Sequence, residues 1–226
     1  MTERSGKLIV FEGAEGVGKT TQIRHLGRTL AARGFGYIDV REPGGTPVGN
    51  QIRRLVLDPG PEIGTRTEAL LFMASRAELV DRLVRPALER GEFVIADRFF
   101  LSTYAYQIAG RGLSEDEVTS ANRFATGGLV PDLTILLRLS VDAALARADS
   151  RGSRDRIEAA DDDFHHRVAA AFDLFADPVW QRRHPEAGPV VAVDAAGSEE
   201  AVAAAVMRLL ERTWPETFRP TVGSHP

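Results

Sequence analysis

The sequence contains no cysteine. This absence excludes a disulfide framework, catalysis by a thiol and a zinc site built from cysteines. The chain also lacks a run of about eighteen uninterrupted apolar residues, which a membrane-spanning helix requires. Its first residues, MTERSGK, lead directly into a strand-like segment and show no signal-peptide pattern. We therefore expect a cytoplasmic protein with no membrane partner.

An excess of basic residues is also missing. The 28 lysines and arginines are outnumbered by 32 aspartates and glutamates, which gives a formal net charge of −4 at pH 7. General nucleic-acid binders carry a basic surface, so we expect no nucleic-acid partner. With 43% hydrophobic and 27% charged residues over 226 positions, the chain can bury one good core, and one domain is the default expectation.

Short apolar runs rich in β-branched residues recur along the chain, and such runs are typical of strands buried on both faces. They lie at residues 7–13, 36–40, 92–97, 133–139 and 190–195. Helical patterns separate them, at residues 19–33, 66–90, 114–126, 158–176 and 198–213. This alternation predicts an α/β fold with a five-stranded parallel sheet and helices on both faces. In such a fold we expect the active site at the carboxyl ends of the strands. Ser114 followed by Glu117 also resembles a capping box at a helix start.

The segment FEGAEGVGKTT (residues 11–21) ends the first predicted strand and opens the first predicted helix. Its match to the phosphate-binding pattern G-x-x-x-x-G-K-[ST] consists of Gly13, Gly18, Lys19 and Thr20. Glycines let backbone N–H groups wrap closely around a polyphosphate, and the following helix adds its positive dipole end. Lys19 would supply a cation, and the Thr20 hydroxyl could bind Mg²⁺. The segment predicts phosphate binding, which switches, motors and kinases all share.

Asp97 and Arg98 follow the third predicted strand. The Asp97 carboxylate would emerge beside the phosphate-binding loop if the first and third strands are neighbours, and it could hold Mg²⁺ directly or through water. A salt bridge at a strand end is the alternative. The guanidinium of Arg98 suits a bidentate grip on a second phosphate.

Two further groups of side chains could reach the same cavity. Phe72 and Arg76 lie four residues apart on one helix face, where they could stack on a flat heterocycle and hydrogen-bond it. The alternative is that Phe72 belongs to the core and Arg76 is solvated. After Arg98 comes a polar and aromatic cluster, which could equally be an ordinary helix start: Ser102, Thr103, Tyr106 and Gln107.

Taken together, these segments resemble the thymidylate kinases, P-loop enzymes that phosphorylate thymidine monophosphate (dTMP) with ATP. The matching stretches are FEGAEGVGKTT (11–21), REPGGT (41–46), LLFMASR (70–76), DRFFLSTYAYQ (97–107), ATGGLVPDLT (125–134) and DRIE (155–158). The resemblance covers about residues 6–213. It implies a P-loop nucleoside monophosphate kinase domain over residues 1–213, a mobile lid at about 149–163 and a homodimer. The segment 149–163 is polar and dense in charge, which indicates a mobile surface segment, and a solvated loop is the alternative. We expect the tail, residues 214–226, to be poorly ordered, because it has three prolines and no periodicity.

The resemblance also implies which residues bind ATP. Lys19 would contact the transferred phosphoryl group, and Thr20 would hold Mg²⁺. The residues implied to bind the ATP phosphates are Gly13, Ala14, Glu15, Gly16, Val17, Gly18, Lys19, Thr20 and Thr21.

For the acceptor, the resemblance implies that Phe72 stacks on thymine while Arg76 bonds its polar edge. Arg98 would grip the acceptor phosphate, and Glu15 would hold the 3′-hydroxyl. Tyr106 would pack under the deoxyribose and disfavour a 2′-hydroxyl. Three further residues would complete the acceptor site, namely Ser102, Thr103 and Gln107.

The family has two variants, which differ in whether a catalytic arginine lies in the phosphate-binding loop or in the lid. Gly16 occupies the loop position, so the sequence resembles the lid variant, which is common in bacteria. The candidates are Arg151, Arg154 and Arg156, of which we favour Arg151. With Lys19, Arg98 and Glu15 it completes the expected catalytic set.

Two features depart from the family pattern, and two rival functions stay open. Arg138 stands where an aspartate is usual, and the acidic run 161–163 could weaken Mg-ATP capture or merely be a solvated cap. One rival is a kinase for another nucleoside monophosphate or for a deoxynucleoside. The other is a nucleotide-dependent switch. We find no N-K-x-D stretch typical of guanine recognition, which counts against a GTPase switch.

Overall fold

The computed structural model describes residues 6–60, 62–140, 143, 155–157 and 159–218. Five strands form one parallel sheet: β1 (Leu8–Glu12), β2 (Tyr37–Arg41), β3 (Phe93–Asp97), β4 (Leu133–Arg138) and β5 (Val190–Asp194). Their order across the sheet is β2-β3-β1-β4-β5. The predicted five-stranded parallel sheet is confirmed.

Helices cover both faces of this sheet. They are α1 (Lys19–Ala32), α2 (Pro47–Leu57), α3 (Thr65–Leu79), α4 (Arg85–Glu89), α5 (Phe100–Thr103), α6 (Glu115–Thr126), α7 (Asp162–Leu174), α8 (Pro178–Arg183), α9 (Glu199–Thr213) and α10 (Pro215–Phe218). Two π-helical segments extend them, Val80–Val84 between α3 and α4 and Tyr104–Gly110 after α5. The predicted helix over 66–90 is therefore one helical rod of three parts.

The core lies on both sides of the sheet, which explains the continuous apolar runs of its strands. Leu8 and Val10 of β1 belong to one apolar cluster, and Ile9 and Phe11 belong to the other. All four side chains are fully buried. Because successive strand residues point to opposite faces, a strand covered on both sides has few polar positions.

The strand order decides where the phosphate-binding loop lies. β1 is the central strand, with β3 on one side and β4 on the other, and its register pairs Phe11 with Asp97. The loop after β1 and the Asp97-Arg98 pair after β3 therefore leave the sheet side by side. The first and third strands are thus neighbours, as the interpretation of Asp97 required. The chain connections after β1 and β3 also diverge here, as they do at the ligand-binding crevice of open α/β sheets.

Some helix predictions need correction. The capping box at Ser114 was wrong, because its side chain makes no capping hydrogen bond to α6. Helix α2 was missed, although Thr46 caps it by accepting a hydrogen bond from the Gly49 N–H at 2.9 Å and Pro47 occupies its first position. The helix predicted from residue 158 begins instead at Asp162.

The end of the described chain differs from the expected poorly ordered tail. Residues 215–218 form α10, and Phe218 is fully buried against Phe93, with ring centroids 5.9 Å apart. Arg33 Nη1 also donates to the Phe218 carbonyl. One buried aromatic side chain anchors this segment without any helical periodicity in the sequence. Residues 219–226 lie outside the described residues.

Among the described residues, no helix is long and apolar enough to cross a membrane.

Candidate active site

The phosphate-binding loop adopts a backbone that favours glycine. Gly13, Gly16 and Gly18 have φ angles of 136°, 80° and 97°, a region that other residues rarely adopt. A Cβ atom on Gly13 would also lie 2.4 Å from the Leu137 carbonyl oxygen. Conformation and space therefore both require glycine at position 13.

Lys19 is the first residue of α1 and folds back over the loop. Its ammonium group donates to the carbonyl oxygens of Gly13 and Ala14, at 3.0 and 2.9 Å. The residue is only 7% exposed. Burial, followed by the positive charge of Arg98, lowers the pKa of Lys19 to about 8. This cation therefore lies inside the loop with an unusually labile proton.

Two oxygen ligands suited to Mg²⁺ lie next to this lysine. The Thr20 hydroxyl donates to Asp97 Oδ2 at 3.3 Å, and both side chains line the same cavity as Lys19. Within the described residues, no group of three or more His, Cys, Asp or Glu side chains could hold a metal ion. A hydroxyl and one carboxylate fit Mg²⁺ that takes its other ligands from phosphate and water.

Arg98 lies where the loop after β1 meets the chain after β3. It has a φ of 72° and is the only non-glycine residue with a positive φ among the described residues. Its guanidinium donates to the Gly13 carbonyl at 3.2 Å, to Ser102 Oγ at 3.1 Å and to Glu15 Oε2 at 3.1 Å. It also lies 5.2 Å from the ring centroid of Tyr106. Arg98 therefore contacts three other predicted site residues, Glu15, Ser102 and Tyr106.

Glu12 supports this arrangement, and the sequence reading missed it. It is fully buried at the end of β1. Its Oε1 accepts hydrogen bonds from the Phe99 and Ser102 N–H groups at 2.8 and 2.9 Å, and Oε2 accepts from the Ser102 hydroxyl at 2.8 Å. The only sequence signal was an acidic residue at the end of an apolar strand. Glu12 thus fixes the backbone on the far side of Arg98.

Arg76 is buried and fully engaged within the protein, so the alternative of a solvated Arg76 was wrong. It is 2% exposed and donates to Glu42, Thr103, Asn122 and the Phe99 carbonyl. With a second contact to the Glu42 carboxylate, all five N–H groups have partners. A contact from Arg76 to a base would replace one of these bonds.

Two cavities open around these residues and join. The larger, about 600 Å³, contains the loop residues Glu15, Gly16, Val17, Gly18, Lys19, Thr20 and Thr21. The smaller, about 250 Å³, contains the predicted acceptor residues Glu15, Phe72, Arg76, Arg98, Ser102, Thr103, Tyr106 and Gln107, together with Ala14. Both cavities are lined by Glu15, Val17, Glu42, Arg53 and Arg98. Gly13 lines neither cavity, and its carbonyl holds Lys19 and Arg98.

The lining residues that no motif of the sequence had singled out as site residues include Arg41, Glu42 and Arg53. Arg53 comes from the missed helix α2 and donates to the Pro43 carbonyl at 2.9 Å. Burial, followed by the charge of Arg41, lowers the pKa of Arg53, and burial raises the pKa of Glu42 against the opposing effect of Arg76. The REPGGT stretch carried the signal for Arg41 and Glu42, but only through family resemblance.

The expected lid has three arginines with different outcomes. Arg151 and Arg154 lie outside the described residues. Arg156 donates to the Val56 carbonyl at 2.8 Å and to Glu68 at 2.6 Å. This third candidate is therefore held by partners that do not line either cavity.

The two departures from the family pattern have local explanations. Arg138 pairs with Asp173 of α7 at 2.6 Å, on the wall of the smaller cavity. In the acidic run, Asp161 caps α7 by accepting from the Phe164 N–H at 2.7 Å. Asp162 and Asp163 lie in its first turn, where the helix dipole favours negative charge.

Comparisons with known proteins agree with the phosphate-binding site described above. The model of the family described as Thymidylate kinase matches residues 11–202. The thymidylate kinase of Deinococcus radiodurans is 51% identical over 167 residues, covering 74% of this chain and 81% of that protein. The one from Exiguobacterium sp. is 44% identical over 199 residues, with 88% and 91% covered. The one from Alkalilimnicola ehrlichii is 41% identical over 211 residues, with 92% and 97% covered.

Proposed function

The chain belongs to the thymidylate kinase family, and we propose that it transfers the terminal phosphoryl group of ATP to dTMP, giving ADP and thymidine diphosphate on the way to dTTP. The observation that carries this proposal is the joined pair of cavities. They meet at Glu15 and Arg98, so two nucleotides can lie end to end with their phosphates adjacent. We also propose that the enzyme works in the cytoplasm, where it meets ATP.

The reaction is a direct in-line transfer. An oxygen of the acceptor phosphate bonds to the terminal phosphorus of ATP, and the bond from that phosphorus to the bridging oxygen breaks as ADP leaves. No covalent enzyme intermediate is needed. The protein has to align two anionic groups whose repulsion at a few ångströms is on the order of several kcal/mol at intermediate dielectric.

In this proposal the cations of the site offset that repulsion. Lys19 leaves the Gly13 and Ala14 carbonyls to contact the transferred group, and Arg98 grips the acceptor phosphate. Glu15, already paired with Arg98 at 3.1 Å, also accepts a hydrogen bond from the 3′-hydroxyl. Thr20 and Asp97 would hold Mg²⁺, which when bound supplies further positive charge to the phosphate oxygens.

The smaller cavity sets the choice of acceptor. Phe72, half-buried on its wall, offers a ring face to the base. Tyr106 lies under Arg98 and packs against the sugar. Thr103 and Gln107 complete the wall and are almost fully buried. These side chains suit a flat base with a polar edge, because an aromatic ring and several hydrogen-bonding groups line the same cavity.

A product assay tests the proposal. The protein is mixed with Mg-ATP and, separately, with thymidine, uridine or guanosine monophosphate or with thymidine, and the products are separated. Thymidine diphosphate formed in preference to the other products supports the proposal. Preference for another acceptor indicates the rival kinase. ATP hydrolysis without a phosphorylated acceptor indicates a switch.

The lowered pKa of Lys19 predicts how ATP binding depends on pH. The lysine is charged below about pH 8 and neutral above it, so its attraction for phosphate is present at pH 7 and lost as the pH rises. If only the charged form binds, the Kd for ATP rises roughly tenfold between pH 7 and pH 9. Isothermal titration calorimetry measures this change.

The matched variant for this measurement is Lys19→Arg, because a guanidinium stays charged over the whole range. It also reports any pH dependence that comes from ATP itself. An equal pH dependence in both proteins would contradict the role given to the Lys19 proton.

We also propose a homodimer, supported by an exposed apolar face. Leu55 of α2, Leu70 of α3 and Phe124 of α6 are 61%, 61% and 89% exposed, and α3 packs against both α2 and α6. Phe124→Asp is expected to shift the mass in light scattering from about twice 24.6 kDa toward the monomer. Val179→Asp, at another exposed apolar residue, is the control. A monomeric wild type would contradict the proposal.

A further inference from the structure

Glu68 is a buried carboxylate that the mechanism above does not use. It lies in the first turn of α3, is 1% exposed and does not line either cavity. Its oxygens accept hydrogen bonds from Gln107 Nε2 at 3.4 Å, from Arg111 Nε and Nη2 at 3.1 Å each, and from Arg156 Nη2 at 2.6 Å. Two guanidinium groups therefore share one buried carboxylate, which offsets the cost of burying its charge.

Two partners of Glu68 lie in or beside separate segments of the acceptor cavity wall. Gln107 lines the cavity and shares a π-helical segment with Tyr106. Arg156 stands between Asp155 and Ile157, which both line the cavity. The carboxylate thus joins two wall segments that are far apart in the sequence.

The two arginines extend these connections. The backbone N–H of Arg156 donates to the Leu57 carbonyl at 2.9 Å. This bond attaches the 155–157 segment to the end of α2. The Arg111 guanidinium lies 4.4 Å from the ring centroid of Phe164, in the first turn of α7. The Phe164 ring in turn lies 6.2 Å from that of Tyr106.

We propose that Glu68 is a positioning residue for the acceptor site, which holds the base end of the cavity closed by pairing Arg111 and Arg156. Without its negative charge these two cations face each other across a neutral group and repel. The wall segments that carry Gln107 and Ile157 then separate, and the acceptor binds more weakly. This inference rests on the proposed function, since it assigns the effect to dTMP.

The test is steady-state kinetics of Glu68→Gln, which keeps the shape of the side chain and removes its charge. The KM for dTMP is expected to rise about tenfold, a free-energy change of about 1.4 kcal/mol. The KM for ATP and kcat at saturation stay close to wild type, because Glu68 contacts neither the phosphate-binding loop nor Arg98. Glu78→Gln is the matched control, since Glu78 lies on the same helix and pairs with the exposed Arg82 at 3.3 Å.

A double variant separates positioning from a merely structural role. In Glu68→Gln with Arg111→Gln, one of the two repelling cations is gone, so the KM for dTMP falls back from the value of the single Glu68→Gln variant. A double variant that binds dTMP more weakly than both single variants would overturn the proposal. An equal rise in both KM values for Glu68→Gln, or no rise for dTMP, would also overturn it.

Calorimetric titration of dTMP without ATP repeats the comparison independently of turnover. Weaker dTMP binding by Glu68→Gln than by wild type supports the positioning role even if the kinetic assay fails. A wild-type protein that binds dTMP but forms no thymidine diphosphate would refute the proposed function and leave the positioning result readable. Equal dTMP affinities in wild type and Glu68→Gln would refute the positioning role alone.

Discussion

Lys19→Ala is expected to lower kcat for dTMP phosphorylation by roughly a hundredfold or more while the protein stays folded. The ammonium group is the one cation inside the phosphate-binding loop, among the described residues, that can follow the transferred phosphoryl group. In the absence of a ligand it satisfies only the Gly13 and Ala14 carbonyls. Its removal costs transition-state charge stabilisation more than stability, because its pKa of about 8 already reflects an unfavourable burial of charge.

The sequence offers a matched control for this variant. Lys7 and Lys19 are the lysines of the chain, and Lys7 pairs with Asp132 at 3.3 Å with about a third of both side chains exposed. A pair of this kind contributes about 0–1 kcal/mol. Lys7→Ala is therefore expected to keep wild-type kcat. Circular dichroism and product analysis are run on both variants, and full turnover in Lys19→Ala would refute its role.

Arg98→Ala is expected to lower kcat/KM for dTMP by roughly a hundredfold or more. The guanidinium stands where the two cavities join, and it is the side chain that bonds the Gly13 carbonyl, Ser102 and Glu15 at the same time. Without it, the repulsion between the two phosphates is no longer offset there. Glu15 also loses its cation and adds a negative charge beside the acceptor phosphate.

Arg98→Lys separates charge from geometry, since lysine keeps the charge but not the planar fork of donors. We expect it to recover only part of the lost kcat/KM. Arg90→Ala is the control, because Arg90 is more than half exposed and pairs with Glu92 at 2.7 Å on the surface. If Arg98→Ala turned over dTMP like the Arg90 variant, the acceptor phosphate would have to lie elsewhere.

The sequence by itself determined the features that depend on neighbouring residues. Gly13, Gly18, Lys19 and Thr20 lie close together along the chain, so their pattern was enough to predict a phosphate-binding loop. The buried strands could also be predicted from neighbouring residues, because a strand covered on both faces appears in the sequence as one continuous apolar run. Family resemblance then brought Phe72 and the residues after Asp97 into one expected site, and the structure places these residues around joined cavities.

Only the tertiary structure decided which distant side chains complete that site. Glu12 stands near the end of an apolar run and Glu68 inside a predicted helix, yet both are buried acceptors for groups that lie more than thirty residues away along the chain. Arg76 was expected to face a ligand or solvent, and its guanidinium is instead held by partners from three other segments. The physical reason is that periodicity records which face of an element is apolar. The partner that a buried charge finds depends on how the helices pack, and no local pattern encodes that packing.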